Sequence, residues 1–240
     1  MKPGVLSLLL RHAGSEHRVS FAAVDAVMPQ EFLSESEKMQ LGSFQFAAKR
    51  ESFLLGRLAA KRALGALLPE SDLRRIEIRS GIYGQPLVHH PAAGAADVSV
   101  SHSHGLAVAL AFPAAYPMGI DLETVSAVSA QAILGELQAS GAEHAWLAAA
   151  GVDQGTACAV LWTAREALGK ALKIGLNSPL GVLSLGQIAA NSEVSGSEGS
   201  WVGHYLNFPR FQCLSQARGG RVLSLAMDSV ALLSGSLRFV

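Results

Sequence analysis

Gly119-Ile120-Asp121-Leu122-Glu123 sets two carboxylates two residues apart among apolar and small neighbours. In a strand, residues i and i+2 point to one face, so these acids stand side by side. Their charges repel unless a cation sits between them, and oxygen donors without His or Cys suit a hard ion such as Mg²⁺. The bland alternative is a pair of solvated acids on an exposed strand, which the apolar flanks disfavour. A second group is Trp162-Thr163-Ala164-Arg165-Glu166-Ala167-Leu168-Gly169-Lys170. Helical spacing puts Trp162, Glu166 and Lys170 on one stripe. Glu166 and Lys170 have the spacing of a common surface pair. They also suit chemistry, with a carboxylate to take a hydroxyl proton and an ammonium to neutralise a transferring phosphoryl group.

Two further groups carry charge or polarity. On a helical wheel centred on Arg50, Arg57 falls near −20° and Lys61 near +20°, at ~100° per residue. The stripe is bordered by Phe46, Phe53, Leu54, Leu64 and Leu67. Either these cations snorkel over apolar surface, or ligand phosphates supply their counter-charge. In Ser99-Val100-Ser101-His102-Ser103-His104-Gly105, a hydroxyl and an imidazole at a strand end can hold a phosphate. Two histidines at i and i+2 also fit a weak transition-metal signal, and a polar hairpin turn fits as well.

The elements that must position these groups follow from pattern. Val5–Leu10 reads as a first buried strand. Residues 43–68 read as one helix stopped by Pro69. Ile76 and Ile78 alternate as in a strand, and residues 80–86 carry turn chemistry. Val98–Ser101, Leu106–Phe112 and Gly119–Glu123 read as strands, with a turn at His102–Gly105. Helical patterns fill 130–173, broken near Gly151 and Gly155. Leu180–Ile188 reads as a strand, 191–200 as a surface loop, and Trp201–Leu206 and Val222–Ala226 as strands that close a sheet. No short-period repeat is visible. The order predicts an α+β fold in two halves, residues 1–124 and 125–240.

Half of the 240 residues are hydrophobic and 16% are charged, ample for a core and unlike a disordered chain. Net charge is zero, so no global field draws the protein to nucleic acid or acidic lipid. Charge is uneven, however. Residues 49–79 hold 8 basic and 4 acidic side chains, while residues 80–164 hold six acids and no Lys or Arg. That suits a ligand with phosphates on one side and a cation on the other. Cys158 and Cys213 have no metal-type or disulfide spacing. The first apolar run is too short for a signal core or a membrane span. A soluble, cytoplasmic protein is expected.

Taken in order, Gly56-Arg57-Leu58-Ala59-Ala60-Lys61-Arg62-Ala63-Leu64, Tyr83-Gly84-Gln85-Pro86, Val98-Ser99-Val100-Ser101-His102-Ser103, Gly119 to Glu123 and Trp162 to Lys170 resemble the 4′-phosphopantetheinyl transferases. The resemblance spans roughly residues 46–185 and is to the monomeric, surfactin-synthetase-activating type. It implies two similar α+β halves related by a pseudo-twofold axis, with coenzyme A in the cleft between them. It implies Asp121 and Glu123 as ligands of Mg²⁺, with Glu143 a further acid near the metal. Glu166 matches the general base, and Lys170 a pyrophosphate contact. Ser101 and His102 match coenzyme A phosphate contacts. Gly84, Gln85 and Pro86 match a loop by the adenine, and Arg50, Arg57 and Lys61 fall where basic nucleotide contacts arise. Gln85 stands where many members carry Lys, Arg165 stands where Lys is common, and Lys173-Ile174-Gly175-Leu176 lacks a glycine often seen there.

The implied reaction moves 4′-phosphopantetheine from coenzyme A to a serine of an apo acyl- or peptidyl-carrier protein and releases 3′,5′-ADP. The implied partners are that carrier and coenzyme A, with no nucleic acid and no membrane. The rivals are a non-catalytic coenzyme A or carrier binder of the same fold, and a metal-dependent phosphoesterase using His102 and His104.

Overall fold

Two long helices each present an apolar stripe, and each gathers its own sheet. A computed structural model describes residues 4–26, 30–92, 94, 96–175, 177–191 and 198–234. The chain divides into two units, one running to Pro117 and taking back residues from Ala231, the other running Met118–Val230. The architecture is α+β in both.

In the first unit, β1 (Val5–His12) and β2 (Ser15–Val24) form a hairpin, and β5 (Ala96–Ser103) and β6 (Leu106–Pro113) form another. β12 (Leu232–Ser234) completes the order β12-β1-β2-β6-β5. Helix α1 (Glu35–Ser43) precedes the long α2 (Ala47–Leu67), which lies across β2, β5 and β6. Leu55, Leu58, Ala59, Ala63 and Leu64 of α2 are buried against Val24, Val98, Ala107 and Ala109. A small separate hairpin, β3 (Glu77–Ser80) with β4 (Pro86–His89), carries the 80–86 turn. The expected helix over 43–68 therefore begins at Ala47. Ser43 closes α1 instead, and Phe44 and Phe46 take extended backbone between the two helices. The expected turn at His102–Gly105 narrows to His104 and Gly105, both with positive φ, in a two-residue connection between β5 and β6.

In the second unit the sheet order is β7-β11-β10-β9-β8, with β7 (Gly119–Thr124), β8 (Leu185–Ala190), β9 (Gly199–Tyr205), β10 (Phe211–Arg218) and β11 (Arg221–Asp228). Helices α3 (Ala127–Leu137) and α4 (Gly141–Ala149) lead to α5 (Gln154–Ala171), which packs on β7, β10 and β11. Leu161, Ala164, Leu168 and Ala171 are buried there with Leu183, Leu185 and Ala226. Gly155 lies inside the first turn of α5 rather than at a break, because Asp153 caps that helix by accepting from Thr156 N at 3.0 Å. The expected strand from Leu180 is a 3-10 turn, Leu180–Leu183, before β8.

Both sheets use one device: the strand before the long helix pairs antiparallel with the last strand of the hairpin or meander after it. Thus β2 pairs β6 and β7 pairs β11. That pairing moves the boundary expected after Thr124 to Pro117/Met118, since a cut at 124 would sever β7 from β11. The expected surface loop at 191–200 falls largely on residues 192–197, outside the described residues. Among the described residues no helix is long and apolar enough to cross a membrane.

Candidate active site

Gly119 sets how near α5 comes to β7. A Cβ there would lie 1.9 Å from the Ala167 carbonyl oxygen and 2.6 Å from Ala171 N, so the helix can rest on the strand only at glycine. α5 is further held by Tyr205 Oη, which donates to Ala164 O at 2.6 Å, and by Thr163 Oγ1, 2.6 Å from Ser224 Oγ. Ser224 is the ladder partner of Asp121. This close packing meets the expected acids. Lys170 Nζ donates to Asp121 Oδ1 at 2.6 Å. Asp121 is nearly buried and Lys170 partly open to water.

Glu166, one turn before Lys170, is mostly buried. Burial raises its carboxyl first, the Asp121 charge raises it further, Lys170 opposes this, and Glu123 adds a smaller push, to about 7. A group at that position takes or gives a proton near neutrality. The cause is informative: negative charge gathers here beyond what Lys170 balances. Among the described residues no three His, Cys, Asp or Glu side chains form a ready-made metal cage. Mg²⁺ does not need one, since it is usually held by one or two carboxylates plus phosphates and water. Asp121 and Glu123, with oxygen donors only and excess negative charge, fit that ion.

Glu143 does not fit it. This fully buried carboxylate sits at the third position of α4 in a capping box with Ser140. Its Oε1 accepts from Arg165 Nε at 3.1 Å and Leu185 N at 3.0 Å; its Oε2 accepts from Ser140 N at 2.7 Å and from Arg165 Nη2. Four donors occupy it, so the expected metal role gives way to an internal ion pair. Arg165 is equally buried, and its Nη1 donates to the carbonyls of Leu137 and Leu180.

Lys61 is corrected for the same reason. It has no exposed surface, and it donates to Phe32 O at 2.9 Å and Leu73 O at 3.1 Å and lies 2.5 Å from Glu37 Oε2. Burial pushes its ammonium below the ordinary value and Glu37 holds it up. Glu37 is the third residue of α1, in a capping box with Ser34, and accepts from Ile78 N at 3.1 Å. The apparent stripe of three cations therefore separates. Lys61 is a core residue, Arg50 is exposed on α2 away from the cavity below, and Arg57 enters it.

That cavity, of about 460 Å³, lies in the first unit. Of the expected contacts, Arg57, Gly84, Pro86 and His102 line it. Phe44 and Phe53 form an aromatic wall with rings 5.2 Å apart. Lys49 Nζ stands 6.0 Å from the Phe44 ring and the Arg57 guanidinium 4.8 Å from that of Phe53. An aromatic wall edged by cations suits a nucleotide. Ser101 is buried and alternates with His102 and Val100, so it faces away from the cavity. Gln85 turns its side chain into the hairpin, where Oε1 accepts from Tyr83 N at 2.9 Å. Phe44, Lys49 and Arg79 also line the cavity, though no sequence motif marks them. Lys49 and Arg79 bound the basic segment, which was the available signal.

The family model described as the 4′-phosphopantetheinyl transferase superfamily matches residues 117–222, which include Asp121, Glu123, Glu166 and Lys170. No curated protein matches. Among solved structures, the holo-(acyl-carrier-protein) synthase of Bacillus anthracis str. Ames in complex with CoA (3′,5′-ADP) is 19% identical. That match covers 45% of this chain and 96% of the other, with a TM-score of 0.35. Thermotoga maritima holo-[acyl-carrier-protein] synthase is 24% identical over 49% and 69%, with a TM-score of 0.31. It is thus the second unit, with its acids and lysine, that is similar to the 4′-phosphopantetheinyl transferase superfamily.

Proposed function

We propose that this protein transfers 4′-phosphopantetheine from coenzyme A to a serine of a carrier protein. The observation that carries the reading is the Lys170–Asp121 pair where α5 meets β7, with Glu166 one turn before Lys170 and Glu123 two residues after Asp121, within the segment that matches the family model. The first unit contributes the cavity, whose aromatic wall would take the adenine. Lys49, Arg57, Arg79 and His102 would take phosphate oxygens there.

Glu166 takes the proton of the carrier serine hydroxyl. The serine oxygen forms a bond to the phosphorus that bears pantetheine, and the bond from that phosphorus to the bridging pyrophosphate oxygen breaks. 3′,5′-ADP leaves with the electron pair. Lys170, tethered by Asp121, faces the charge gathered on the phosphoryl oxygens. Asp121 and Glu123 would hold Mg²⁺, which when bound supplies Lewis-acid neutralisation of the pyrophosphate. We further propose a monomeric, cytoplasmic enzyme of the surfactin-synthetase-activating type, on the resemblance of its ordered motifs to that type.

The test is to incubate the protein with coenzyme A, Mg²⁺ and apo acyl- or peptidyl-carrier proteins and to measure intact carrier mass. A gain of one phosphopantetheine on the serine is expected. Coenzyme A binding without any gain across both carrier classes would instead identify a binder. Phosphate release without a carrier would identify a phosphoesterase.

A further inference from the structure

The two buried ion pairs are built alike. In each, a Ser-x-x-Glu capping box opens a short helix, and its Glu accepts from the backbone N–H of a later residue, Ile78 or Leu185. Each Glu is paired with a buried cation of the following long helix, and that cation also donates to two carbonyls from separate segments. So each long helix is clamped at one residue to three other pieces of chain. We infer that these clamps are positioning devices with different targets: Glu143–Arg165 aims Glu166 and Lys170, and Glu37–Lys61 aims Arg57.

The geometry separates the targets. Arg165 immediately precedes Glu166, so rotation of α5 about its axis is what the clamp resists. A rotation of about 20° would swing a side-chain tip by about 2 Å, enough to part Lys170 from Asp121. Arg57 lies one turn before Lys61 on the same helix face, its Nε is 3.6 Å from Glu37 Oε1, and its guanidinium lies over Phe53 at the cavity wall. Glu37 therefore touches both the clamp and the residue it aims. Neither Glu143 nor Glu37 reaches a ligand; each acts through a neighbour.

The test uses conservative exchanges that keep charge or shape: Arg165→Lys (the cation the first unit uses), Glu143→Gln, Lys61→Arg and Glu37→Gln. The kinetic arm rests on the transfer reaction proposed above; the structural arm does not. For Arg165→Lys and Glu143→Gln we expect kcat to fall by about tenfold or more, with the KM for coenzyme A within about twofold. For Lys61→Arg and Glu37→Gln we expect the reverse, a KM raised about tenfold with kcat within about twofold. In crystal structures, Arg165→Lys should open the Lys170 Nζ to Asp121 Oδ1 separation from 2.6 Å to beyond about 4 Å. Glu37→Gln should move the Arg57 guanidinium off the Phe53 ring, where it now stands at 4.8 Å. Unchanged distances in both variants, or all four variants altering kcat and KM together, would reduce the clamps to general stabilisation. A wild-type protein that transfers nothing would sink the proposed reaction, yet the distances would still decide the positioning role. If Glu143→Gln does not fold, Arg165→Lys carries the second-unit arm.

Discussion

The long helices of the two units share a segment. Ala60-Lys61-Arg62-Ala63-Leu64-Gly65 in α2 aligns with Ala164-Arg165-Glu166-Ala167-Leu168-Gly169 in α5. The alanines and leucines are buried in both, and the cation before the variable residue is buried in both. The glycines also match. A Cβ at Gly65 would lie 2.8 Å from Glu70 O, and one at Gly169 2.8 Å from Gly175 O, so each helix end is crossed closely by backbone. What differs is charge at two positions. Arg62 stands against Glu166, and Ala66 against Lys170. One scaffold thus serves two purposes. The positions that clamp the helix keep their chemistry, and the position beside the clamp decides whether the unit carries an acid for proton transfer, as Glu166 does, or a cation that stays outside the cavity, as Arg62 does.

That contrast can be broken most directly at its variable position. Glu166→Gln should lower kcat by about a thousandfold while coenzyme A still binds. Arg62→Gln should change transfer by no more than about twofold, and an equal loss from both would end the division of labour. Asp121→Ala should lower transfer by about a hundredfold or more and remove its response to Mg²⁺; undiminished transfer in EDTA would take the metal out of the scheme. Gly119→Ala, measured by chemical denaturation, should cost about 3 kcal/mol or more, at the upper end for overpacking, because the new methyl meets backbone that cannot yield locally. The same variant should lose kcat, since α5 can accommodate the methyl only by lifting Glu166 and Lys170 from β7.

The smallest effect is on stability against pH. Glu166 has a folded value of about 7 against an ordinary 4.5, so between these the native state binds more protons than the unfolded chain. The contribution of this group is complete below about 4.5 and is lost as pH rises through 7. Metal-free protein should therefore show a Tm that declines across this interval. Glu166→Gln should flatten the decline and raise Tm at pH 8 by a few degrees.

Much of this was legible in sequence where a residue's pattern and its task coincide. The Asp121/Glu123 strand and the Glu166/Lys170 helix turn both form as read, because alternation and helical spacing alone fix which side chains share a face. Arg57 and Lys61 show the limit. A helical wheel places both on one stripe, but whether a cation meets ligand or core depends on what packs opposite, and Glu37 arrives there from a helix whose pattern is almost wholly polar. The capping boxes Ser34-x-x-Glu37 and Ser140-x-x-Glu143 were a local signal that would have moved Glu143 from the metal to the fold. β2 is not legible in the sequence because it opens on Ser-Glu-His-Arg and then buries both faces, so it never alternates. The likeness between α2 and α5 occurs at a separation of 104 residues, from Ala60 to Ala164, so no short period reveals it.

β12 has a consequence for how the protein must be made. The first unit's sheet takes its β1 neighbour from residues 232–234, after the whole second unit has been read out. On the ribosome, β1 must wait with an open edge while more than a hundred further residues emerge, including β7 to β11, which could pair with it wrongly. A chain released at Pro117 would keep its core yet present that edge permanently. Self-association, rather than unfolding, is the failure expected of such a fragment.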